Sequence, residues 1–215
     1  MRSTSPLQQF GEGRQFRILT AALEVFSKRS FGEATTDEIA HRAHVSKRDI
    51  YAAFPDKHAL LIAVIVMALQ TEDETFSRVI ADSRQNTMPL RDRLELIGLA
   101  LINEILSPVT GFVSRLVSSE SIQLPPIGVI YFEKWYARRS RQVALILSKH
   151  LTLTKGKAGR RNDAHEAAKH YLALITHLPQ LTAAVGKREM WTPKSVQTHV
   201  GSAVDCFIKA YPALG

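Results

Sequence analysis

The sequence predicts an all-α fold of about nine helices, with a small N-terminal three-helix unit followed by a larger C-terminal helical bundle. Three observations carry this reading. Apolar residues recur at three- and four-residue spacing along most of the chain, and strict alternation is scarce. Most Gly and Pro residues fall between the apolar stretches, where they punctuate helices.

The first helix is expected from Arg14 to Arg29, with Ile18, Ala22, Val25 and Phe26 as its apolar stripe. Thr35 then opens a second helix as a capping box, with Glu38 at N3, and Ile39, Ala40 and Ala43 face inward. His44-Val45 makes a tight turn. Ser46 caps a third helix in the same manner, with Asp49 at N3, and Pro55 ends it near Phe54. Asp56 caps a long fourth helix whose stripe runs from Leu60 through Leu69, Phe76 and Ile80. Further helices are expected at about 89–106, 109–121, 126–152, 162–186 and 193–211, separated by prolines and a loop near Lys155–Gly159. The expected domains are 12–72 and 73–215.

Two short helices joined by a tight turn and preceded by a supporting helix describe a helix-turn-helix. On the third helix, Ile50, Ala53 and Phe54 share one side and pack inward, while Arg48 and Ala52 centre the opposite side. Lys47 and Tyr51 flank that outward surface, and Asp49 sits at its other edge. Such a surface suits a major groove. Arg48 matches guanine O6 and N7, and Ala52 the thymine methyl. Lys47 and Tyr51 are placed for phosphates, as is Thr35 or Thr36 with a helix N-terminus behind it, and Lys57 reaches the backbone on the flank. The implied partner is double-stranded operator DNA.

The stretch Ile18-Leu19-Thr20-Ala21-Ala22, Phe26, Phe31, Thr35, Ile39-Ala40, Ala43 to Lys47, Tyr51, Phe54, Lys57 and Leu60-Leu61 resembles the signature of TetR/AcrR transcriptional regulators. Arg115 to Glu120 before a proline pair, and Val200 through Tyr211, are similar to AefR-like members. The resemblance implies a homodimer formed through the last two helices. It also implies a ligand cavity in the body, and a repressor that leaves its operator when the cavity fills. The sequence departs from the family pattern at Ser30 and His44, where Gly is usual, at Asp49, usually small and neutral, and at Ala52, often larger. Histidine tolerates the left-handed turn, and Asp49 reads as a capping carboxylate.

For the cavity, the candidates are Phe76, Phe112, Tyr131, Phe132, Trp135 and Tyr171, with Arg115, Gln123, His150 and His177 as polar contacts. For a four-helix dimer interface, they are Tyr171, Ile175, Leu178, Val196, Val200, Val204, Phe207 and Tyr211. Two recognition helices about 34–36 Å apart would grip a palindromic site, and the long fourth helix is the natural lever between ligand and DNA.

Other function classes find little support. The formal charge is +8, yet residues 1–60 carry nine Lys/Arg against seven Asp/Glu, so the motif and not the net charge argues for DNA. The run Arg138, Arg139, Arg141, Lys149, Lys155, Lys157, Arg160 and Arg161 contains no acid and is expected to be a solvated face. His165, Glu166, His170 and His177 lack metal-ligand spacing, and no nucleophile elbow or phosphate loop occurs, so neither metal, cofactor nor enzyme activity is expected. The single cysteine and the absence of a leader or a spanning apolar run fit a cytoplasmic protein with no membrane contact. The rival reading is a helical protein-interaction module of the same fold without operator binding or small-molecule induction.

Overall fold

The computed structural model describes residues 13–85, 88–151 and 160–212. These form α1 (Arg14–Lys28), α2 (Thr36–Ala43), α3 (Lys47–Ala53), α4 (Lys57–Gln85), α5 (Leu90–Leu106) and α6 (Pro108–Glu120). They continue as α7 (Pro125–Tyr131), a π-helical segment (Phe132–Ala137), α8 (Arg138–Leu151), α9 (Arg160–Ala184) and α10 (Pro193–Ala210). No non-helical residue separates α7 from α8, so the expected all-α pattern of nine helices holds among the described residues, the seventh being interrupted by a π turn and a short 3-10 turn (Arg188–Met190) preceding the last. Lys155, Lys157 and the loop around them lie outside the described residues, as do the side chains of Arg160 and Arg161.

The chain divides into two compact units. One joins the described residues up to Glu74 with Phe112–Tyr131; the other joins Thr75–Gly111 with the described residues from Phe132 onward. The first unit thus takes in residues that a partition at 72/73 leaves in the body.

In the first unit the apolar stripe of α1 (Ile18, Ala22, Val25, Phe26) is buried, as are Ile39 and Ala43 of α2 and Leu60, Leu61 and Val64 of α4. The Thr35 hydroxyl accepts the Glu38 N–H at 3.2 Å, but only this half of the expected capping box forms. The Glu38 carboxylate turns to Arg29 (3.1 Å) and Arg42 (3.4 Å), because two guanidiniums outcompete one backbone N–H.

The second unit packs α5 against α9 and α10. Leu94, Ile97, Leu101, Tyr171, Ile175, Val200, Val204 and Phe207 are buried in one cluster. Gly98 makes the close approach possible. A Cβ there would lie 2.9 Å from Val200 Cγ1 and 3.1 Å from the Tyr171 hydroxyl. The Tyr171 hydroxyl donates to the Leu94 carbonyl at 2.5 Å. These contacts correct the expected dimer face. Tyr171, Ile175, Val196, Val200, Val204 and Phe207 are buried within their own chain and leave almost no surface to offer a partner. Periodicity located the apolar side of each helix, but that side meets the same protomer.

Pro179 sits inside α9 and has no N–H for the Ile175 carbonyl one turn earlier. His199 of α10 supplies the missing donor: its Nε2 lies 3.1 Å from that oxygen. This requires the proton on Nε2. Trp191 packs edge-on against the same ring and donates its indole N–H to Thr182 at 2.7 Å.

Arg139, expected on a solvated basic face, is 0% exposed. Its Nε and Nη2 donate to the two Glu104 carboxylate oxygens at 3.1 and 2.8 Å, and its guanidinium lies 4.3 Å from the centre of the Phe76 ring. Gln142 joins the group, accepting from Arg139 at 3.3 Å and donating to the Ser77 hydroxyl at 3.2 Å. Trp135, Arg139, Val143 and Leu147 are all buried at steps of four residues. Such a stripe drifts around an ideal 3.6-residue helix, and the wider π turn takes up part of that drift.

Removing one partner of this pair leaves a buried charge unanswered. Arg139→Met should therefore cost about 3–5 kcal/mol in denaturant unfolding, whereas the double variant with Glu104→Leu should recover much of the loss.

Candidate nucleic-acid interface

Helix α3 is only seven residues long and is fixed from both ends. His44 takes the left-handed conformation (φ 53°, ψ 49°) that closes α2 and turns the chain into α3. The Ser46 hydroxyl accepts the Asp49 N–H at 3.1 Å, while the Ser46 N–H donates to the Asp49 carboxylate at 3.0 Å, a complete capping box. Phe54 is extended before Pro55 and ends the helix.

Ile50 (1% exposed) and Phe54 (5%) turn inward as expected, but Ala53 is exposed. Lys47, Arg48, Tyr51 and Ala52 therefore form a solvent-facing surface, with Tyr51 45% exposed. Thr35 is exposed at the α2 N-cap.

Two expected contacts need correction. Thr36 is buried, and its hydroxyl lies 3.4 Å from the Tyr51 hydroxyl, so it steadies Tyr51 instead of meeting a phosphate through its side chain. The Lys57 ammonium donates to the Phe31 carbonyl and, at 3.4 Å, to the Gly32 carbonyl, and it lies 4.5 Å from the centre of the Phe31 ring. It fastens the α1–α2 loop, so it is not a free cation for the DNA flank.

Electrostatics sharpen the surface. Arg14 approaches Asp49 at 2.7 Å, and Lys47 approaches Asp37 at 2.9 Å. Neither pairing is legible from spacing, since the partners stand on different helices. The Asp49 carboxyl is held below its ordinary range, first by the Ser46 hydroxyl and backbone N–H and then by the charges of Arg14 and Arg48. Asp37 raises the Lys47 ammonium above its usual value. Asp49 thus has its negative charge answered within the protein before DNA arrives.

The expected cavity residues are shared between the two units. Phe112 and Arg115 line a cleft of the first unit, and Tyr131, in the same unit, bonds Ser114 at 3.0 Å. Phe76, Trp135 and Tyr171 are buried side chains of the second unit, with Phe76 and Tyr171 in its main cluster. His177 is exposed on α9, which removes it from any internal cavity. His150 is partly buried, and burial, followed by Arg93 and Lys149, lowers its pKa. Sequence reasoning missed Arg139 and Glu104 because a basic run gives no sign of which member turns inward. Among the other histidine-region candidates, Glu166 pairs with Lys169 at 2.6 Å, and His170 bonds the Tyr211 hydroxyl.

A short capped helix presenting cationic and aromatic side chains, steadied by two supporting helices, is the DNA-reading module of a helix-turn-helix protein. The family model for bacterial regulatory proteins of the tetR family matches residues 18–64, and that for the AefR-like transcriptional repressor C-terminal domain matches residues 92–213. The chain belongs to the TetR family and is a DNA-binding transcriptional regulator. It is 23% identical over 160 residues to the HTH-type transcriptional regulator UidR of Escherichia coli, covering 74% of this chain and 70% of UidR. A TetR-family regulator from Mesorhizobium loti has the same fold, with a TM-score of 0.82, 20% identity and coverage of 92% and 96% of the two chains. The flavonoid-responsive regulator FrrA superposes with a TM-score of 0.69, at 22% identity and the same coverage. Among the described residues no single helix is long and apolar enough to cross a membrane.

Losing the cap should loosen the reading helix before it touches the rest. Ser46→Ala is expected to lower unfolding stability by about 1 kcal/mol. Because the Asp49 carboxyl titrates below its unfolded value, its support is present above the ordinary carboxylate range. That support disappears as pH falls through the lowered value. Acid-unfolding curves of Asp49→Asn should lack this component.

Proposed function

We propose that the chain is a homodimeric repressor that binds a palindromic operator and releases it when a small-molecule effector binds. The observation that carries the DNA half is the outward surface of Lys47, Arg48, Tyr51 and Ala52 over an inward Ile50 and Phe54. Arg48 reads guanine, Ala52 lies against a thymine methyl, and Lys47, Tyr51 and Thr35 hold phosphates.

Support for the dimer comes from α9. Leu174, Leu178 and Leu181 are exposed at steps of four and three residues, and Val185 in the turn just beyond the helix extends this apolar stripe. Of the residues first assigned to the interface, Leu178 alone lies on this stripe. A second copy of α9 would cover the stripe in a two-fold arrangement. The effector half rests on family membership. It also draws on α4, whose 29 residues run unbroken from the capped start beside α3.

Two measurements test this reading. Recovery of bound genomic fragments at physiological salt should enrich one inverted repeat. In the same assay Arg48→Ala should lose about 1–3 kcal/mol of discrimination at one symmetric base pair, while Lys47→Ala weakens all sequences evenly. If the wild type enriches no repeat, the protein-interaction reading replaces this one. Sedimentation equilibrium should show a dimer that Leu178→Glu with Leu181→Glu converts to a folded monomer. A dimer surviving both charges would contradict the α9 interface.

A further inference from the structure

We propose that the first unit contains its own small-molecule site, a cleft that takes an apolar carboxylate. The cleft lies between the C-terminal turn of α1, the α1–α2 loop and α6, and its volume is about 370 Å³. Sites for small organic ligands start at roughly 300 Å³.

Its walls divide by chemistry. Phe26, Phe112 and Leu116 are buried side chains that form the apolar floor of the cleft, and half-buried Phe31 also lines it. Arg115 and Lys28 stand exposed at the rim, and neither has an ion-pair partner among the described residues. Arg29 also lines the cleft, but its charge is answered by Glu38, and one carboxylate, Glu120, faces the same space. The cationic excess favours an anion, and a planar fork such as Arg115 favours one with two oxygens. The apolar floor requires a hydrocarbon or aromatic body behind the charge. Phosphate or sulfate alone would leave Phe112 and Leu116 uncovered.

The position gives the site consequence. Phe31 packs against Phe26 at 5.8 Å and against the His58 ring at 5.1 Å, and its carbonyl is the one Lys57 holds. The turn that follows, closed by the Ala34 N–H on the Ser30 carbonyl at 3.1 Å, leads directly to Thr35, the cap of α2. An occupant touching Phe31 and Ser30 therefore bears on the loop that sets α2 and, through it, α3. That regulatory effect rests on the operator-binding reading; binding in the cleft does not.

The test uses the full chain with 1-naphthoate and its neutral analogue 1-naphthol as probes. Calorimetric titration should give saturable naphthoate binding at least tenfold tighter than naphthol. Arg115→Met, at an exposed position, should remove that preference, and Ser119→Trp should block both probes by filling the cleft. Thermal unfolding of each variant in the absence of probe reports that the fold is kept. Hydrogen exchange at saturation should slow in peptides spanning residues 26–34 and 112–120. Equal affinity for the two probes, unchanged binding by both variants, or protection confined to residues 132–212 would each overturn the proposal. A protein that binds naphthoate in this way but enriches no operator would retain the site and lose only its regulatory role.

Discussion

Everything the protein offers to DNA hangs on holding a seven-residue helix in place. A segment so short cannot sustain itself in water, because nucleating a helix fixes several residues for the first hydrogen bond. Ile50 and Phe54 supply the anchorage by burial, and the box between Ser46 and Asp49 supplies it at the N-terminus. His44 and Pro55 set the directions of entry and exit. With those four constraints satisfied, the remaining positions of α3 point to solvent without any choice left to the chain. The cationic and aromatic character of that face is then free to be set by recognition.

The second unit solves a different problem. Its helices must approach closely, and Gly98 provides the gap into which Val200 and the Tyr171 hydroxyl fit. Two irregularities are accommodated in different ways. Pro179 strands a carbonyl that His199 meets, and the π turn takes up part of the drift along the buried series Trp135, Arg139, Val143 and Leu147. The bidentate Arg139–Glu104 pair is a charged insertion in a largely apolar interior, with Phe76 and Gln142 against the guanidinium. A pair of this kind is weak as a source of net stability, yet costly to break from one side.

The head was legible because its determinants are local. Cap residues, the tight turn, Pro55 and the stripe of α1 act within a few positions of one another, and each shaped the structure as its chemistry requires. Glu38 departed from its expected role because Arg29 and Arg42, the former on another segment, compete for it. Thr36 and Lys57 were misplaced for the same reason: the groups that engage them, Tyr51 and the Phe31 carbonyl, are distant in sequence. In the body, periodicity identified apolar faces on α9 and α10 but not which molecule covers them. Val200 and Phe207 meet their own chain, while Leu181 and Val185, less conspicuous in the pattern, stay exposed. Arg139 shows the limit most sharply. Nothing in a run of basic residues marks the one whose partner lies 35 positions away.

The central claim is geometric: α3 enters the major groove with Arg48 toward guanine. Methylation interference with dimethyl sulfate on a bound duplex reads this directly, since it marks guanine N7 in the major groove and adenine N3 in the minor groove. The account requires that N7-methylguanine block binding at symmetric positions in each half-site. Interference arising only from N3-methyladenine, or from no base at all, would contradict it.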